Sequence, residues 1–114
     1  MTRIPRPGSP VRGSRSGAPI MALFDLLGRR WAMGVLWTLC EIEPATFREL
    51  QAKCETISPA VLNRRLHELK AAKLVERTAD GYAATAAGLE LYRHLVPLGA
   101  WAKAWGRSLP ADER

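Results

Sequence analysis

The stretch Ile57-Ser58-Pro59-Ala60-Val61-Leu62-Asn63-Arg64-Arg65-Leu66-His67-Glu68-Leu69-Lys70 decides how this chain is read. Ser58 is a strong helix N-cap, and Pro59 follows at the first helical position, where a missing N–H costs nothing. Leu62, Leu66 and Leu69 then recur at i, i+4 and i+7, one stripe of a helix predicted over about residues 59–72. At about 100° per residue, Ala60, Arg64, His67 and Ala71 point away from that stripe, with Val61 and Asn63 on its flanks. A helix with a leucine back, a small-residue front and an arginine at its centre suits a DNA major groove. An ordinary amphipathic surface helix would carry the same stripe, so the surrounding elements must decide.

Those elements are legible on both sides. Ile20–Leu27 predicts a short helix closed by Gly28. Trp31–Leu39 predicts a second, with Trp31, Val35, Leu36 and Leu39 buried, and Pro44 closes the loop after it. Thr46 and Phe47 are expected to form a one-bridge strand, and a helix over about 48–55 to bury Leu50 and Cys54. Beyond the central helix, residues 74–78 and 82–85 flank Ala79-Asp80-Gly81, a strong hairpin signal. Thr85 is placed to cap a final helix over about 86–108, which Pro97 should kink or split. Helix, helix, short strand, helix, turn, helix, hairpin, helix is the order of a winged helix-turn-helix, a mainly α fold with one small β-hairpin.

Composition sets the outer bounds. At 114 residues with 47% hydrophobic content, a single domain with a real core is expected. No apolar run is long enough for a membrane span, and residues 1–17 lack the apolar core of a signal peptide. The net charge is +6, but Arg3, Arg6, Arg12 and Arg15 supply +4 of it in a stretch without an acid. The remaining 13 basic and 11 acidic groups leave a body of only +2, so a nucleic-acid footprint must come from local clustering. Residues 1–17, rich in Pro, Gly, Ser and Arg, are expected to be a disordered basic tail, either reaching along DNA or without function. The domain is expected over residues 18–110. Cys40 and Cys54 have no metal-type spacing and read as small core residues in a reducing cytoplasm. No nucleophile–histidine–acid set, phosphate-binding glycine loop or metal-ligand cluster is recognisable. An enzyme is therefore not expected, nor a cofactor or metal.

The chain resembles the HxlR family of bacterial transcription regulators over about residues 18–106. The likeness is carried by Leu26-Leu27-Gly28-Arg29-Arg30-Trp31, Phe47-Arg48-Glu49-Leu50, the 57–69 stretch, Leu74-Val75-Glu76-Arg77, Thr85-Ala86-Ala87-Gly88 and the tryptophan-bearing last helix. It implies a homodimeric, double-stranded DNA-binding repressor or activator, two winged domains being joined through N- and C-terminal helices. Carried over, Ser58, Pro59, Ala60, Val61, Asn63 and Arg64 occupy the groove-facing start of the recognition helix. Arg48 and Arg77 are candidate phosphate contacts. Arg65 lies only about 60° from the leucine stripe, which points to a structural or phosphate role before a base-reading one. His67 reaches a phosphate or is simply solvated.

Leu91, Leu95, Leu98, Trp101 and Trp105 exceed what so small a core needs and are expected at the dimer contact, the alternative being a helix folded back in cis. A symmetric dimer would set two recognition helices ~34 Å apart and favour an inverted-repeat operator. Three departures from the family pattern stand out. The wing loop is short. Ala18 replaces the cysteine that many members carry before the proline opening helix one, so thiol sensing there is not expected. Lys73 stands where a glycine commonly ends the recognition helix, at a cost of about 1 kcal/mol if left-handed. A small-molecule effector is left open. The rival function is a winged-helix protein-interaction module without specific DNA binding.

Overall fold

The computed structural model describes residues 2–111. Five helices, α1 (Pro19–Leu27), α2 (Ala32–Ile42), α3 (Phe47–Lys53), α4 (Pro59–Ala71) and α5 (Ala86–Ser108), are accompanied by one antiparallel hairpin, β1 (Val75–Thr78) and β2 (Gly81–Ala84). The expected winged helix-turn-helix order is the observed one. At the centre lies α2, whose Val35, Leu36 and Leu39 are fully buried. It packs against every other helix and β2. Leu50 from α3, Leu62, Leu66 and Leu69 from α4 and Val75 from β1 complete the core. Ala45, Cys54 and Ile57 join it from the connecting segments.

Three local devices differ from the sequence reading. Thr46 is the N-cap of α3, not a strand residue. Its hydroxyl accepts from the Glu49 N–H at 3.1 Å while the Glu49 carboxylate accepts from the Thr46 N–H at 2.9 Å. These bonds form a capping box and hold the Glu49 carboxyl below its ordinary pKa. The expected bridge falls one residue earlier, at Ala45, which pairs with Tyr82 and adds a one-residue third strand to the wing. The hairpin turns on Ala79 and Asp80 alone, with Thr78 opposite Gly81. A Cβ at Gly81 would lie 2.4 Å from the Ala45 carbonyl oxygen, so its glycine admits the bridge as well as the positive φ.

Helix α5 is one helix through Pro97, neither split nor interrupted. Thr85 anchors it: the hydroxyl accepts from the Gly88 N–H at 3.1 Å and donates to the Lys73 carbonyl at 2.6 Å. Its first half lies on α2, with Trp37 edge-on to Tyr92 at 5.2 Å. The second half stands away from the core.

Residues 2–17, expected to be disordered, fold back along α1. The Gly8 N–H donates to the Gly17 carbonyl, the Arg12 N–H to the Asp25 carboxylate, and the Ala18 N–H to the Ser14 hydroxyl. Glycines at Gly8, Gly13 and Gly17 supply positive-φ turns in this irregular segment. Ile4, Pro5 and Val11 supply half-buried apolar anchors.

Candidate nucleic-acid interface

Ser58 caps α4 through a 3.2 Å bond from the Val61 N–H, and Pro59 opens it, as the sequence requires. Glu55, in the left-handed region at φ 58°, turns the chain between α3 and α4, a conformation that glutamate as a residue type does not signal. Leu62, Leu66 and Leu69 face inward. Ser58, Pro59, Ala60, Asn63, Arg64 and His67 are exposed, and Val61 is half-buried at the edge of that row. Among the described residues, Arg64 has neither an ion-pair nor a hydrogen-bond partner, so its guanidinium is free for an outside acceptor. The helix ends in a Schellman motif, with Leu74 N–H donating to the Leu69 carbonyl and Lys73 N–H to that of Lys70. Lys73 is left-handed at φ 62°, the case in which its replacement of the family's glycine costs about 1 kcal/mol.

Of the structural and phosphate roles open to Arg65, its contacts are those of the structural one. Its Nε donates to the Arg30 carbonyl at 2.7 Å, and its guanidinium pairs with Glu68, one turn along the same flank of α4. Arg29, between α1 and α2, grips the other carboxylate oxygen. Glu68 is the one buried charged residue among those described, and both its oxygens are satisfied. This clamp fixes α4 against the α1–α2 connection. The sequence reading missed Glu68 and Arg29; the available signal was an acid three residues after Arg65 on the inner flank.

Arg48, on the first turn of α3, and Arg77, on β1, are both exposed. Arg77 lies over the Tyr82 ring, 5.3 Å from its centroid, so the wing's charge is propped by its cross-strand neighbour. The Ala45–Tyr82 bridge sets that strand beside the start of α3, so Arg77 and Arg48 flank the segment leading into the helix-turn-helix.

The expected dimer residues divide. Leu95 is buried and Leu91 half-buried within this chain's own core, so they serve α5–α2 packing in cis. Leu98, Trp101 and Trp105 are more than half exposed, and the two indoles stack at 5.9 Å. Ile20 and Phe24 on α1 are also more than half exposed. Of the two thiols expected in the core, Cys54 is buried and Cys40 half-buried at its edge; burial and nearby carboxylates push Cys40 up to about 11, and burial raises Cys54.

A tri-helical core, a helix-turn-helix with an outward basic helix and a flanking hairpin define a winged helix-turn-helix protein. The HxlR-like helix-turn-helix family model matches residues 26–109, and the chain belongs to that family. It is 36% identical over 59 residues to BH0655, an uncharacterised HTH-type transcriptional regulator of Halalkalibacterium halodurans. That match spans 52% of each protein, about half the relative's length. Among solved structures it is similar to quinone-bound YodB of B. subtilis, at TM-score 0.70 and 31% identity over 75% of this chain and 97% of that one. The reduced form of the same regulator gives TM-score 0.69 at 30% identity, over 83% and 98% of the two chains. A possible HxlR family transcriptional factor of Thermoplasma volcanium gives 0.69 at 26%, over 79% and 86%. These relatives are transcriptional regulators, not enzymes. No helix among the described residues is long and apolar enough to cross a membrane.

Proposed function

We propose that the protein is a cytoplasmic transcriptional regulator that binds double-stranded DNA sequence-specifically as a homodimer, with α4 in the major groove of an inverted-repeat operator. The observation that carries this reading is the outward row of α4: small residues at Ser58, Pro59 and Ala60, then Asn63 and an unengaged Arg64 opposite a buried leucine stripe. Small residues let the backbone approach the groove. An arginine one turn in is positioned to fork onto guanine O6 and N7. Arg48 and Arg77 supply phosphate contacts on either side, and His67 a further one at the far end of the row. Leu98, Trp101 and Trp105 form the dimer contact, since adjacent exposed indoles on one helix are the kind of anchor that dominates protein interfaces.

Selection from a random duplex library, followed by fluorescence anisotropy, tests this. The selected site should be an inverted repeat with half-sites about one helical turn apart. Arg64→Ala should weaken operator binding by ~1–3 kcal/mol, roughly 5- to 150-fold, and relax preference at one base pair per half-site. Binding to unrelated duplex should change far less. Equal loss on both duplexes would make Arg64 a phosphate contact. No enrichment of any sequence would favour the protein-interaction module instead.

A further inference from the structure

We infer that the cleft between the N-terminal segment, α1 and the end of α4 is a binding site for a small hydrophobic carboxylate. The cleft has a volume of about 420 Å³, within the range of small-ligand sites. Ile4, Pro5, Leu23, Leu26 and Leu74 give it an apolar lining, and its charged members are Arg6 and Lys73, with no acid among them. An apolar body with one anionic group matches that lining: burial of the body provides affinity, and the two cations select the charge. Two further hollows do not offer this combination. One lies on the wing beside Arg77, within the proposed DNA face, and the other contains Asp25, already paired with Arg12.

The walls give the site a consequence. Ala71, Ala72, Lys73 and Leu74 are the joint by which α4 passes into β1, so a ligand here rests against the hinge between helix and wing. Arg29 adds a second link. Its guanidinium donates to the Arg3 carbonyl at 3.3 Å, next to the Ile4–Pro7 wall, and also grips Glu68 on α4. Occupancy that shifts the N-terminal segment is thereby transmitted to the helix that reads DNA. Ile4–Pro7 lies outside the residues matched by the family model. The effector role rests on the DNA-binding reading above; the ligand site does not.

Isothermal titration calorimetry on the full chain without DNA, with benzoate, octanoate and 2-naphthoate, tests the site. At least one probe should bind with Kd below ~1 mM. The matching neutral amide should bind ~10-fold more weakly, and Arg6→Gln or Lys73→Asn should each lose ~5-fold for the carboxylate. Both positions are exposed, and asparagine tolerates the left-handed backbone at 73, so neither change threatens the fold. Amide NMR shifts on binding should cluster at residues 4–7, 22–26 and 71–74. Failure of all three probes, equal affinity for the amide, or shifts clustered elsewhere would each overturn the site. With a bound probe at saturation, duplex affinity measured by anisotropy should change at least ~3-fold. An unchanged affinity would refute the effector role while the calorimetric site stands.

Discussion

Replacing Glu68 with Ala removes the shared acceptor of two guanidiniums and leaves both without a counter-charge. The Glu68 side chain is 8% exposed, Arg65 12% and Arg29 29%. Breaking a buried pair by deleting one partner costs ~3–5 kcal/mol. Partial exposure lets water reach Arg29, which places this case near the lower end, at ~3 kcal/mol. Unfolding entropy of ~2.1 cal/mol/K per residue comes to ~240 cal/mol/K for 114 residues, so Tm should fall by ~12 °C. Urea unfolding followed by circular dichroism, at one fixed protein concentration, measures the loss. Arg12→Ala is the internal control. Arg12 is 85% exposed and 3.6 Å from Asp25, and this change should cost under ~1 kcal/mol, as surface pairs do. A Glu68→Ala loss no greater than that of Arg12→Ala would refute the claim that the clamp anchors α4.

Three further outcomes follow from the same structure. Trp101→Ala combined with Trp105→Ala should give folded monomers in sedimentation velocity, since both indoles lie outside the chain's own core; a folded dimer would place the interface elsewhere. Arg48→Ala and Arg77→Ala should each reduce the log–log salt slope of DNA binding by about 1, equally on operator and unrelated duplex; unchanged slopes would remove both from the interface. Cys40 should react with iodoacetamide at pH 8 roughly 100-fold more slowly than an ordinary thiol, because so little thiolate is present when the pKa is pushed up to about 11. With its folded value above the ordinary 9.0, this thiol's contribution to stability is full below pH 9 and is lost as pH rises through 11. Rapid alkylation in the folded state would contradict the burial that causes the shift.

Local chemistry explains why so much of the domain was readable in advance. The Ser58–Pro59 start, the leucine stripe of α4, the Thr85 cap and the left-handed Lys73 each depend on residues within one or two turns of one another. Short-range sterics and hydrogen bonding decide such features, and a linear sequence displays them directly. The outward placement of Ala60, Asn63 and Arg64 belongs here too, since helical periodicity dictates it once Leu62 and Leu66 are buried. The Thr46–Glu49 capping box was equally local, and its T-x-x-E spacing stood in the sequence.

What only the tertiary structure decided involves partners distant in sequence. Arg65 could be assigned to phosphate or to the fold until Glu68, Arg29 and the Arg30 carbonyl, up to 36 positions away, were brought around it. Leu91 and Leu95 were indistinguishable from Leu98 and Trp101 on one apolar helix until α2 covered the first pair and left the second open. The path of the N-terminal segment along α1 rests on Asp25 of α1 and Arg29 just beyond it as well as on the segment's own glycine turns, and composition alone does not locate those distant partners. Periodicity shows which face of a helix is apolar; only the packing of separate elements determines which part of that face the same chain buries.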